Sequence, residues 1–414
     1  MSNFSHMVPR LRHHLAGLTA DLPSTYWLLW IGTFINRLGG FVVPFLSLYL
    51  TSQRGISVGQ AALAVSSFGA GSFVAALVGG ELADRLGLRP VLLLSFLVAP
   101  VNMVLLGLAR PLPWIALLTL LQGFFTDLYR PAVNAVVADL VPAEGRPRAY
   151  GYLYWAINLG FAFAPTIAGL LARWNYFLLF LGDALTTFAF GLIVLWGVRE
   201  TRPAEARART AAGGRGRLAR LGQEPLMLAF AGLGLCFGII YMQANVTLPL
   251  DMQADKLGPE IYGLAISFNG ILIVLLSLPL SNLVVRWPRF GSLAAAALFV
   301  GAGFGLTAFS TTLLGYVAAI GVWTLGEIIG SAVAPAVVAD LSPLDLRGLY
   351  QGVFGAAWGL SFFVGPALGG WVFQHLGSQA LWAGCFLLGC LVALGYLAMS
   401  RPANRRLTQR AVTP

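Results

Sequence analysis

Ala135-Val136-Val137-Ala138-Asp139-Leu140 returns as Ala336-Val337-Val338-Ala339-Asp340-Leu341, an offset of 201 positions. The same offset matches Pro142 with Pro343, Arg146 with Arg347, Gly151 with Gly352, Phe161 with Phe362, Pro165 with Pro366 and Gly169 with Gly370, without a gap. Solenoid repeats are far shorter, so a period this long in so apolar a chain reads as a duplicated membrane bundle.

Hydrophobic residues make up 58% of the chain, charged residues 10%, and the mean hydropathy is +0.78. Soluble globular domains do not reach these values. Apolar stretches of the roughly 20 residues that cross a hydrocarbon core as helix recur twelve times. They lie at about 25–50, 57–79, 90–109, 113–141, 149–172, 176–198, 225–250, 261–283, 291–309, 312–341, 348–374 and 378–399. They are continuous and too long for barrel strands. The expected fold is all-α: a polytopic membrane protein of 12 transmembrane helices in two pseudo-symmetric six-helix bundles. The expected divisions are a cytoplasmic N-terminal segment (1–24), an N-terminal bundle (25–198), a cytoplasmic linker (199–224), a C-terminal bundle (225–399) and a cytoplasmic tail (400–414). The 49 glycines and 22 prolines suit close helix packing in a bilayer, where neighbours satisfy freed backbone groups.

With both ends cytoplasmic, twenty of the 26 basic residues fall inside. Four, Arg54, Arg110, Arg173 and Lys256, fall outside, while Arg37 and Arg130 lie within spans. This positive-inside bias predicts a multi-pass protein of the cell (inner) membrane with N- and C-termini cytoplasmic. It also accounts for the net charge of +10 through contact with anionic membrane lipids, without nucleic acid. Residues 1–24 are polar and show no cleavable signal. Cys236, Cys385 and Cys390 all fall inside spans, without disulfide or metal-ligand spacing.

The loop between the second and third spans reads Gly79-Gly80-Glu81-Leu82-Ala83-Asp84-Arg85-Leu86-Gly87-Leu88-Arg89-Pro90. Here the sequence resembles the major facilitator superfamily, whose hallmark in this loop is glycine, Asp-Arg, glycine and one or two basic residues. Leu88 stands where a second basic residue is usual. Twelve spans, the long central loop and the repeat extend the resemblance over the whole chain. It implies a cytoplasmic gate in which Asp84, Arg85 and Arg89 form a state-dependent lock between the halves around Gly80 and Gly87. Asp139 is the expected partner of Arg89, and Asp340 marks the matching hinge of the second half. The alternative is that these charges only anchor the loop at the headgroups. The matching loop, Ser281 to Arg289, keeps basic residues and loses the acid, so only the first-half lock is expected to be complete. Gly160, Ala164-Pro165 and Ala168-Gly169 in the fifth span approximate the glycine-rich signature of the drug/proton antiporters. That resemblance favours antiport; close helix packing is the alternative reading.

Ionisable groups inside spans cost about 2.5–3.5 kcal/mol each at the bilayer centre on insertion scales, so something must offset them. Arg37, Asp127, Arg130, Asp183 and Glu327 are such groups. Asp127 and Arg130, three residues apart, share a helix face and can neutralise each other or act on cargo. Glu327 has no basic residue within a turn on its own helix, which suits a proton-coupling residue or a substrate counter-charge; the alternative is a structural partner of Arg37 or Arg130. Proton coupling is therefore assigned to Glu327, Asp127 and Asp183. Substrate contacts are expected from Asn36, Arg37, Arg130, Asn158, Gln243, Asn245 and Asn269, with Tyr152, Trp155 and Trp358 offering apolar surface.

No histidine lies deep in a span, and neither a Cys/His pair nor a phosphate-binding loop with lysine is visible. The chain is therefore read as no enzyme, with no metal and no cofactor beyond a proton gradient. The function expected is secondary active transport by a monomer: proton-coupled efflux of lipophilic drugs or other small molecules by alternating access. A proton symporter or facilitator importing a small polar or anionic solute is the alternative, and a non-transporting receptor a third class.

Overall fold

A computed structural model describes residues 22–142, 145–200, 224–284, 286–342 and 347–412. Most of the expected N-terminal segment and of the linker lies outside them. Among the described residues, twelve helices are long and apolar enough to cross a membrane. The first six spans are Ser24–Gln53, Val58–Gly79, Leu88–Leu108, Leu112–Val137, Arg148–Trp174 and Phe177–Gly197. The second six are Pro225–Ala254, Pro259–Val284, Arg289–Thr307, Leu313–Leu341, Tyr350–Leu376 and Ser378–Ala403. Among the described residues there is no strand. Helix is the form that satisfies every backbone group within one segment, which hydrocarbon demands. Local chemistry sets several starts. Ser57 Oγ accepts the Gln60 N–H at 3.4 Å and Thr312 Oγ1 that of Gly315 at 3.3 Å, as N-caps. Pro225 opens span seven, where its missing N–H costs nothing.

Spans one and seven are each broken at the same place in the repeat. Span one is helical over Ser24–Leu38, loses its ladder at Gly39-Gly40-Phe41, and resumes at Val42–Leu48. Span seven runs Pro225–Tyr241, then Gln243–Ala254, and Gln243 matches Val42 at the 201-residue offset. A broken helix leaves amides and carbonyls that need partners inside the protein. In span one the Asp183 carboxylate of span six accepts the Val42 N–H at 3.3 Å. In span seven the Gln243 amide donates to the Ile239 carbonyl at 2.9 Å and to the Gly365 carbonyl of span eleven at 2.9 Å. Span six closes on the first break because Gly39 has no Cβ, and a Cβ there would meet Thr186.

The two six-span halves meet where span two packs on span eleven, span five on span eight, and the later parts of spans one and seven on each other. The named contacts concentrate away from the end carrying the Gly79–Pro90 loop expected from the sequence, which is in fact helical to Leu86 and again from Leu88, with Gly87 alone turning the chain. Gly59 N–H donates to Gln374 Oε1 at 2.5 Å, Thr166 donates to Ser267 Oγ through its N–H at 3.0 Å, and Phe45 meets Tyr262 edge-on at 5.1 Å. Glycines make the seam close: a Cβ on Gly263 would meet the Pro165 carbonyl, and one on Gly270 would meet Ala162. Toward the loop-bearing end, Gly151, Gly352 and Gly355 of spans five and eleven face nothing within 4 Å.

Candidate functional site

A cavity of about 260 Å³ opens between the halves at mid-depth, beside both broken helices. Asn36, Arg37, Asp127, Arg130, Asp183 and Asn245, all expected from the sequence, line it. Thr187, Tyr129 and Tyr241 line it too, and sequence reasoning missed them because an isolated hydroxyl in an apolar helix carries no pattern. The remaining wall is largely aromatic and thioether.

The charges sit in three arrangements. Asp127 Oδ1 accepts from Arg130 Nε at 2.6 Å, one turn along span four, so this pair neutralises itself. Asp183, 7% exposed, accepts the Val42 N–H and, at 3.5 Å, the Thr187 hydroxyl, and Asn36 donates to that hydroxyl at 2.8 Å. Arg37 donates from Nη2 to the Tyr129 hydroxyl at 2.5 Å, with its Cζ 6.0 Å from that ring's centroid.

Glu327, partly buried on span ten, stands behind the cavity wall. Its Oε1 accepts the Tyr241 hydroxyl at 2.7 Å and its Oε2 the Asn269 amide at 2.8 Å. Among the described residues no cation pairs with it. Tyr241 is itself fixed by Trp323 at 5.8 Å and Trp358 at 6.1 Å, both edge-on. The carboxylate is therefore held by two neutral donors from spans seven and eight, one of which also faces the cavity.

Several expected substrate contacts do other work. Gln243, 1% exposed, bridges spans seven and eleven and accepts the Thr247 hydroxyl at 3.0 Å, because the break in span seven needs those bonds. Asn269, also 1% exposed, divides its amide between Glu327 and Thr324. Trp358 packs on Phe237 and Tyr241 instead of lining the cavity. On span five, Tyr152 packs on Trp27 at 6.0 Å and Asn158 donates to the Tyr154 carbonyl one turn back at 2.8 Å. Trp155 is 48% exposed and away from the cavity.

The expected gate is also rearranged. Arg85 pairs with Glu81 on its own helix at 2.5 Å. Gly87 has a φ of +105°, which a side chain would resist, and joins spans two and three. Arg89 does not reach Asp139. Its guanidinium donates to the Leu195 carbonyl at 2.7 Å, and the Leu88 and Arg89 N–H groups donate to the Glu200 carboxylate at 3.2 and 3.1 Å. The start of span three is thus an N-terminus capped by an acid, and Arg89 is drawn to span six. Asp340 pairs with Arg289, so the second half, whose matching loop has no acid, carries an ion pair there through its hinge residue. The surroundings of Gly80 and the side chain of Asp84 lie outside those described.

A profile of the Major Facilitator Superfamily matches residues 29–253 and 230–413. The chain belongs to that superfamily. Within it, the MFS-type transporter YttB of Bacillus subtilis is 27% identical over 368 residues, covering 87% of this chain and 91% of its own. A Na(+), Li(+), K(+)/H(+) antiporter of Planococcus maritimus is 25% identical over 395 residues, covering 85% and 92%. The fold matches that of a variant of the nucleoside transporter NupG, with a TM-score of 0.80 at 16% identity over 91% of this chain and 100% of that one. As a Major Facilitator Superfamily member the chain is a multi-pass membrane transporter of small molecules and not an enzyme.

Proposed function

We propose that the protein is a proton-coupled exporter that exchanges small, largely apolar molecules for protons by alternating access. The observation that carries this reading is Glu327: a carboxylate in the bundle held by a phenol and an amide, with no cation paired to it among the described residues. When it loses its proton, the charge rests on two neutral donors. When it gains one, span ten crosses the bilayer with one buried charge fewer. Tyr241 carries that change to the cavity, since the same hydroxyl lines the wall and contacts the carboxylate. Asp127 is occupied by Arg130 and Asp183 by the break in span one, which leaves Glu327 to carry the exchangeable proton.

With both termini cytoplasmic, as the distribution of basic residues supports, the sealed seam is external and the conformation is open to the cytoplasm. Opening to the outside would require spans two and eleven, and five and eight, to part at their outer ends while the halves rock about the cavity. The antiporter named among the relatives supports exchange over symport.

The test uses inverted membrane vesicles and a ligand chosen from a thermal-shift panel of lipophilic cations, sugars, peptides and organic anions. Gradient-driven uptake should fall by about 100-fold or more in Glu327→Gln, the scale of losing a positioned proton carrier. Exchange of labelled for unlabelled ligand should persist in that variant. Uptake that is unchanged in Glu327→Gln, or protons that travel with the cargo, would overturn the reading.

A further inference from the structure

The charges lining the cavity do not cancel one by one. Asp127 and Arg130 form one pair. Asp183 faces the Val42 amide and the Thr187 hydroxyl. Arg37 is near enough to Asp183 to act on that carboxyl electrostatically, but its hydrogen-bond acceptor is the neutral Tyr129 hydroxyl, and among the described residues no carboxylate stands within ion-pair distance of it. Its Nε is buried without a partner. A guanidinium carries five N–H donors in a planar fork. A cation so costly to hold in a membrane, with most of its donors unused beside a cavity, is suited to a charged, planar acceptor.

The rest of the cavity describes the other end of such a ligand. Phe68, Phe96, Phe125, Phe161, Phe362 and Met242 supply flat and adaptable apolar wall from spans two, three, four, five, eleven and seven. The repeat adds an asymmetry: at the 201-residue offset Arg37 corresponds to Gly238, and Glu327 to Thr126. Among the described residues, the cation without an ion pair belongs to the first half and the acid without one to the second, so the two need not compete for one position.

We propose that the cavity binds amphiphilic organic anions, an aromatic body lying against these walls and a carboxylate held by the Arg37 guanidinium. That these anions are the exported cargo rests on the exporter reading above; their binding does not.

Purified full-length protein in detergent is titrated with benzoate and cinnamate, with their amides benzamide and cinnamamide, and with benzylamine and cinnamylamine. Melting temperature and tryptophan fluorescence are read. The carboxylates should bind at least about ten-fold more tightly than the amides and amines of the same shape, as a charge-assisted fork adds. Arg37→Gln should reduce carboxylate binding to the level of the amides, with a much smaller effect on the amides themselves, while Arg37→Lys should keep part of the preference. Amines binding as well as acids, neither carboxylate binding at all, or carboxylate binding unchanged in Arg37→Gln would each overturn the proposal. If Arg37→Gln does not fold, the comparison of acid with amide in the wild type and in Arg37→Lys decides it. Arg37-dependent carboxylate binding by a protein that moves no protons would retire the exporter reading and keep this one. Proton exchange driven by amines alone would do the reverse.

Discussion

Glu327 and Arg37 show how a single side chain takes its meaning from what surrounds it. Both are ionisable groups in apolar helices, and their presence alone marked them in the sequence. Their partners were not legible, because Tyr241 and Asn269 lie 86 and 58 positions from Glu327 along the chain, and Tyr129 lies 92 from Arg37. Asp127 and Arg130, by contrast, were legible as a pair, since a spacing of three on a helix fixes their proximity. The Tyr241 bond to Glu327 gives a prediction of coupling. Removing a donor to a charged group costs about 1.5–3 kcal/mol. Tyr241→Phe should therefore destabilise the wild type by that amount and the Glu327→Gln variant by less than about 1 kcal/mol, as a double-mutant cycle of thermal unfolding would measure. Equal costs in the two backgrounds would show that the bond contributes nothing of its own.

The spans themselves were legible because hydrocarbon thickness sets the length of an apolar run, and their ends fall within a few residues of expectation. The breaks in spans one and seven were not. Glycines are frequent throughout this chain, and only tertiary structure shows that Gly39 sits against span six and that Gln243 ties span seven to span eleven. Asp183 and Gln243 thus stabilise the two discontinuities, and each has a testable cost. Asp183→Ala should lower stability by about 1–3 kcal/mol, the penalty of an unmet buried amide, whereas Asp183→Asn keeps an acceptor and should recover part of it. Gln243→Leu, which strands the Ile239 and Gly365 carbonyls, should behave like Asp183→Ala. The seam gives a prediction of a different sign. Gly263→Leu places a side chain against the Pro165 carbonyl, so it should disfavour the sealed arrangement and raise the labelling rate of a cysteine introduced at Ser267. An unchanged rate would remove the seam from the mechanism.

The duplicated architecture was legible in the 201-residue offset, and so was the family, through the loop after span two. The partners of the gate residues in this conformation were not legible, because Glu200, with no motif to mark it, takes up the start of span three and Arg89 turns to span six. The two copies therefore share a frame and differ in chemistry: the first supplies Arg37 to the cavity, the second supplies Glu327 behind it. The orientation that gives this arrangement its direction is open to direct measurement. In intact cells a membrane-impermeant thiol reagent should label Arg54→Cys, and should label Arg207→Cys only after permeabilisation. The reverse pattern would invert the assignment of the open face.

The central claim is that Glu327 carries the proton exchanged for cargo. Proteoliposomes holding a pH-sensitive dye report it most directly when a bound ligand is added to one side. The wild type should move protons opposite to the ligand, and Glu327→Gln should exchange ligand without moving protons. Proton movement by Glu327→Gln at the wild-type rate would contradict the account.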